Sequence, residues 1–153
     1  MEKNYFSLLM ADFFAQAGME PRDAAPAYAL TVDDEALLVV ANDPAEWMTL
    51  LMDLGPFTPG ESGYARLLEE NLTPHEAAPK PVLGVADGRL AMRSQLPLAY
   101  LGLDALQRWL RDFLDYSVSV REAVRTLGDG SAVPASGTGD AAPAESGATF
   151  IKV

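Results

Sequence analysis

The sequence predicts an α+β fold: elements in the order α-β-β-β-α-β-β-α, with a five-stranded twisted antiparallel sheet packed by two long helices. Three observations predict it. Residues 3–17 and the stretch after Asp104 carry apolar stripes at helical spacing. Residues 27–52 break into short apolar or alternating runs separated by turn residues. Asp87-Gly88 stands between two more apolar runs, and that dipeptide is a strong hairpin signal.

In the first helix Phe6, Leu9, Met10, Phe13, Phe14 and Ala17 fall at i, i+3, i+4, i+7, i+8 and i+11, one wide apolar stripe. Gly18 suits the C-terminal cap, and Pro21 prevents continuation. Residues 27–32 alternate, with Tyr28, Leu30 and Val32 on one face. Asp33-Asp34-Glu35 then turns the chain, and Leu37 to Val40 reads as a more central strand. Asn42-Asp43-Pro44 breaks that run. Glu46 to Met52 fits strand or helix, and strand is favoured because it completes an antiparallel meander. After a loop containing Pro56, Pro59 and Gly60, Tyr64, Leu67, Leu68 and Leu72 mark a middle helix of two or three turns. Val82 to Val85 and Leu90 to Leu96 form the hairpin, with Leu90, Met92, Ser94 and Leu96 on one face. Asp104 opens the last helix as N-cap or first-turn acid. Its stripe runs through Leu106, Trp109, Leu110, Phe113, Leu114, Ser117, Val120 and Val124, and fraying is expected near Leu127-Gly128. Residues 1–127 are therefore one domain. Residues 128–153, rich in Gly, Ala, Ser and Pro, read as a disordered tail ending in an apolar Thr149-Phe-Ile-Lys-Val153 tag.

Composition narrows the function classes. The chain has 153 residues, 49% of them apolar, enough for one domain with a real core. Eleven basic against 22 acidic residues leave a formal charge of −11, which repels nucleic acid and anionic membranes and favours basic partners. The absence of cysteine excludes disulfides, thiol nucleophiles and Cys-based zinc sites and suits a reducing cytoplasm. No apolar run approaches the length of a spanning helix, about 20 residues. Lys3, the apolar Tyr5 to Ala11 and Ala15-Gln16-Ala17 imitate a signal peptide, but Asp12 interrupts the apolar run.

Several local signals are set aside. Gly55 to Ser62 has phosphate-loop spacing, but Glu61 stands in place of the lysine and two prolines remove amides. Gly60-Glu-Ser62-Gly63 falls one residue short of a nucleophile elbow, because Tyr64 occupies the place of the second glycine. His75, the only histidine, sits in a linker among prolines and acids. It reads as a solvated loop residue rather than a base, and no cofactor or metal is expected. Asp33-Asp34-Glu35 lacks the spaced ligands of a calcium loop. Trp47 and Trp109 read as core or interface anchors rather than stacking platforms.

The ordered set of these motifs resembles class I type III secretion chaperones of the CesT/Tir type. The matching segments are Phe6-Ser-Leu-Leu9 with Phe13 and Gly18, Asp33-Asp34 before an apolar strand, and Leu50-Leu-Met-Asp-Leu-Gly55 before a proline loop. They continue with Leu67-Leu-Glu-Glu-Asn-Leu72, Asp87-Gly-Arg-Leu90, Leu96-Pro-Leu98 and the closing Leu106 to Phe113. The likeness covers residues 3–127. Residues 19–26 are more proline-rich than a tidy family strand, and the tail has no family counterpart. The resemblance implies a small cytoplasmic homodimer without nucleotide hydrolysis. It would hold the N-terminal segment of an effector extended until the secretion machine, with its ATPase a further candidate partner, takes it.

Two surfaces follow as expectations. The middle helix has a leucine face with no obvious place in the core, so Tyr64, Leu67, Leu68 and Leu72 are expected at the homodimer interface. Holding an extended chain needs apolar pockets and a sheet edge. Tyr28, Leu30, Val32, Leu38 and Val40 are the expected effector-binding set, with plain core residues as the competing reading. The rivals are a regulatory or adaptor domain of the same fold without a secretion role, and a small hydrolase using paired carboxylates.

Overall fold

Asn4 starts the first helix, α1 (Tyr5–Gln16): its side-chain oxygen accepts from the Ser7 N–H at 2.9 Å and the Ser7 hydroxyl at 2.8 Å. The structure, a computed structural model, describes residues 4–32, 36–42, 46–58, 60–76 and 79–130. The expected turn at Asp33-Asp34-Glu35, the break at Asp43-Pro44 and the tag at Thr149–Val153 lie outside them. Helix α1 ends in a Schellman cap. Gly18 takes φ +67°, its N–H reaches Ala15 O, and the Met19 N–H reaches Phe14 O at 2.9 Å.

Three strands follow: β1 (Ala27–Val32), β2 (Ala36–Asn42) and β3 (Trp47–Pro56). Helix α2 (Glu61–Leu72) leads to β4 (Val82–Ala86) and β5 (Arg89–Pro97). A 3-10 turn, Leu98–Tyr100, precedes α3 (Leu103–Gly130), which runs past the expected fraying point at Leu127-Gly128. Asp104 is a first-turn acid, not the cap. Of the ambiguous Glu46 to Met52 stretch, Trp47 onward is strand because β3 is paired on both sides, Leu50 opposite Val40 and Ser94, while Glu46 precedes it at φ +59°. The sheet is fully antiparallel in the order β1-β2-β3-β5-β4, so β1 and β4 are its edges.

The β4–β5 hairpin turns on Asp87 (φ +52°) and Gly88 (φ +70°), the pair of positive angles that a two-residue I′ turn requires. A bulge between Asp53 and Gly55 bends β3. There the Asp53 carboxylate accepts from Gly55 N–H at 2.8 Å and from Arg89 Nε at 2.7 Å.

One side of the sheet holds the core. Met48, Leu50 and Met52 of β3 alternate inward with Leu90, Met92 and Ser94 of β5, and all six are buried. Helix α1 covers them with Phe6, Leu9, Met10 and Phe14, and α3 with Leu106, Trp109, Leu110, Phe113, Tyr116 and Val120. The helices are fixed by polar contacts as well as packing. Tyr5 OH donates to Leu101 O at 2.7 Å, and the buried Trp109 Nε1 donates to Ser94 Oγ at 2.9 Å. Of the six methionines in the chain, Met10, Met48, Met52 and Met92 are fully buried, and Met52 faces Met92 across the β3–β5 pair.

Candidate functional site

The strand pairing fixes which residues share the other face of the sheet. Ala29, Val39, Leu51, Arg93 and Val82 form one row across all five strands. Ala41, Thr49 and Gln95 form the next row, where Gln95 Nε2 donates to Thr49 Oγ1 at 2.8 Å. Trp47, Leu51 and Val82 are exposed on this face. A groove of about 500 Å³ lies over β3, β5 and β4, lined by Leu51, Val82, Ala91, Arg93 and Gln95 among others. Small side chains, Gly84, Ala86 and Ala91, keep it open.

Helix α2 borders β4. Leu67 points inward, 5% exposed, and joins the core. Tyr64, Leu68 and Leu72, spaced i, i+4, i+8, form a second stripe that faces outward at 47, 65 and 85% exposure. The expectation of four interface leucine-face residues is therefore corrected at Leu67. The helix carries two apolar stripes, and the i+3 step from Tyr64 to Leu67 crosses from one to the other.

A larger correction concerns the expected effector-binding set. Tyr28, Leu30, Leu38 and Val40 do share a sheet face, but it is the face that the helices fill, and all four are buried. The Tyr28 ring lies 5.8 Å from that of Phe6 and 5.2 Å from that of Phe14. Its hydroxyl donates to Asp23 O at 3.2 Å and accepts from Ala25 N–H at 3.1 Å. These side chains are part of the hydrophobic core. The side chain of Val32 lies outside the described residues.

Two features escaped the sequence reading. Asn71, on α2, donates through Nδ2 to Leu83 O at 2.8 Å and accepts from Leu83 N–H at 2.9 Å. Arg22 donates through Nη1 to Ala29 O at 3.0 Å and lies over the Phe14 ring at 5.3 Å. No sequence spacing signals either contact, because each joins segments whose adjacency is set by the whole sheet.

Among the described residues no group of three or more His, Asp or Glu side chains is placed to hold a metal ion. A shallow recess of about 360 Å³ gathers His75, Glu76, Asp112, Asp115, Tyr116 and Ser119. The Ser119 hydroxyl is directed to its own helix, at Asp115 O. Burial, with Glu70 adding to it, pushes the Tyr116 phenol above its ordinary range, so it stays protonated. No described helix is long and apolar enough to cross a membrane.

The profile of the Tir chaperone protein (CesT) family matches residues 9–121, from within α1 to within α3 and through every strand. The chain belongs to this family. Solved structures share its fold. One chain of the ExsC-ExsE complex superposes with a TM-score of 0.68 at 18% identity, covering 79% of this chain and 94% of that one. A chain of the HopA1-SchA chaperone-effector complex gives 0.65 at 23%, covering 80% and 97%. A chain of the complex between the Yersinia pestis type III secretion chaperone SycH and a stable fragment of YscM2 gives 0.61 at 20%, covering 74% and 98%. No curated protein sequence matches the chain. In this CesT-family member the helix-covered face of the sheet is the core, and Trp47, Leu51, Val82, Tyr64, Leu68 and Leu72 are among the large apolar side chains left exposed.

Proposed function

We propose that the chain is a type III secretion chaperone that works as a cytoplasmic homodimer and holds the N-terminal segment of a secreted effector in an extended state. One observation carries this reading. Among the described residues the helices cover one face of the sheet, while Trp47, Leu51 and Val82 are exposed on the other and Tyr64, Leu68 and Leu72 are exposed on α2. An apolar surface of that kind marks an interaction site. Family membership and the chaperone-effector complexes among its structural relatives support the same class of function.

In this reading two copies pair through the outer stripe of α2. An isologous interface uses the same patch twice, so each leucine counts twice. The extended effector segment takes backbone hydrogen bonds from a sheet edge and places alternate side chains on apolar surface. This masks the segment and keeps it from collapsing or aggregating. The charge of −11 per chain keeps one dimer apart from the next and favours basic cargo. The protein acts by binding, not by catalysis, and release falls to the export apparatus and its ATPase. Residues 1–127 carry the activity, with 128–153 as an appendage.

The test is affinity purification of the tagged chain from its own host, read by mass spectrometry with stoichiometry. The expected partner is one large secreted protein, held through its N-terminal segment at about one copy per two chains. Recovery of the chain alone, while a secretion system is expressed, would transfer the assignment to a regulatory or adaptor role.

A further inference from the structure

The recess beside α3 gathers charge of one sign. Asp112, Asp115, Tyr116 and Ser119 fall at i, i+3, i+4 and i+7, so they share one face of the helix. The segment after α2 brings His75 and Glu76 against that face, with the His75 ring edge-on to the Tyr116 ring at 4.7 Å. Glu76, Asp112 and Asp115 are exposed, and among the described residues no ion pair joins any of them to a lysine or arginine. Arg108 and Arg111 stand four residues before the two aspartates, but a cation ahead of its acid is the weaker order on a helix.

On a chain of charge −11 an acidic cluster is ordinary surface. Tyr116 sets this one apart. It lines the recess, is 2% exposed, and its hydroxyl has no hydrogen-bond partner among the described residues. A buried polar group left unpaired is costly. The Glu70 carboxylate is near enough to act on the phenol electrostatically, but it pairs with Lys80 at 3.6 Å and makes no hydrogen bond with Tyr116. The phenol stays protonated, and its oxygen keeps lone pairs that a donor can meet. The ligand that fits is therefore positively charged and carries several donors. A metal ion does not fit, because no group of three or more acidic or histidine side chains among the described residues is placed to hold one. An ammonium is a compact point charge with three donors. A guanidinium is planar, weakly hydrated and carries five donors in a fork, so it can meet a carboxylate and the phenol oxygen together.

We propose that this recess is a binding site for an arginine side chain of a partner protein, with Glu76, Asp112 and Asp115 drawing the guanidinium in and the Tyr116 hydroxyl accepting from it. That the partner is cargo rests on the chaperone reading; the recess does not. The exposed carboxylates supply attraction that salt screens, and the buried phenol supplies the geometry that separates arginine from any other cation.

The test titrates the full chain with acetyl-Gly-Arg-Gly-amide and follows the NMR signals of the His75 and Tyr116 rings. Saturable shifts of both are expected, weakening as salt is added. The citrulline peptide, of the same shape without the charge, should leave the signals in place, and the lysine peptide should bind severalfold more weakly. Tyr116→Phe should lower affinity for the arginine peptide by about tenfold, the equivalent of one hydrogen bond to a charged group. Its urea midpoint should stay at or above native, because the hydroxyl it loses has no partner. Asp115→Asn, at an exposed position, should lower affinity by up to about fivefold, and it stands in if phenylalanine disturbs the ring packing. Equal binding of the arginine and lysine peptides, with no loss in Tyr116→Phe, reduces the recess to a general negative field and overturns the site. So does a Tyr116→Phe chain that loses stability and keeps its affinity, which makes the phenol structural only. Calcium chloride that moves the same signals and displaces the peptide overturns the guanidinium assignment. Recovery of an effector beside a failed titration would overturn the recess alone. A successful titration with no effector ever recovered would sustain the recess and remove the chaperone reading alone.

Discussion

Replacing Leu68 with aspartate should separate the proposed dimer while leaving the fold intact. In the single chain Leu68 is 65% exposed, so the substitution removes little burial. The cost to folding is that of a poorer helix former, below about 1 kcal/mol. At a symmetric interface the same residue is buried twice. Full burial of a leucine is worth about 1.5–3 kcal/mol; with about two thirds of the side chain left to bury, two copies amount to about 2–4 kcal/mol. That weakens the dimer by about one and a half to three powers of ten, before any cost of facing carboxylates. Leu67→Ala is the matched control. Leu67 is 5% exposed and packs in the core, so its truncation should cost about 2–5 kcal/mol of folding stability. Sedimentation equilibrium reads the first effect against the chain mass of 16.4 kDa. Urea unfolding at several protein concentrations reads the second and separates folding from mass action. A Leu68→Asp chain that keeps the native dissociation constant would refute the assignment of α2 to the interface. Equal loss of folding stability in the two variants would refute the division of α2 into an inner and an outer stripe.

Three further outcomes follow from the fold. Ser94→Ala leaves the buried Trp109 indole N–H without its acceptor and should cost about 1–3 kcal/mol by chemical denaturation. Gly88→Ala should cost about 1–2 kcal/mol through backbone torsion alone, since φ is +70° and an added Cβ would meet only Thr58 Cγ2 at 3.8 Å; thermal unfolding would show it. Asp53 has its folded pKa lowered from 3.8, first by the Arg89 hydrogen bond and then by the Gly55 N–H. Its contribution is present above the unfolded pKa and is lost as pH falls through the folded value. Both partners are about half exposed, so the effect is small, and Asp53→Asn should flatten the stability profile only below about pH 4.

The local signals in the chain survived folding and the nonlocal ones did not. Asp87-Gly88 names its own turn, because two adjacent positive φ angles are a property of that dipeptide. The helix stripes of α1 and α3 likewise needed nothing beyond spacing. The alternation of Tyr28, Leu30, Leu38 and Val40 correctly put them on one face. Which face the helices cover depends on packing between segments far apart in the chain, and there the expectation chose the wrong side. Trp47 and Leu51 show the same limit from the other direction. Both are large and apolar, and both face outward, because the inward positions of β3 are taken by Met48, Leu50 and Met52. Leu67 and Leu68 differ by 100° around one helix, which an eye counting leucines does not separate.

The methionines give the core a chemical memory. Met10, Met48, Met52 and Met92 are sealed from solvent, so an oxidant reaches their sulfurs only when the domain opens. Met19, partly buried beside the α1 cap, keeps some surface in the folded state and is the expected reference for oxidation without opening. A sulfoxide formed at Met52 or Met92 would carry a polar oxygen into the middle of the sheet, where an unpaired polar group is costly. Opening in the presence of peroxide therefore acts as a ratchet: each event leaves a mark that disfavours closing, until a reductase removes it. The oxidation rate of the four core thioethers, taken relative to Met19, would count how often the domain opens.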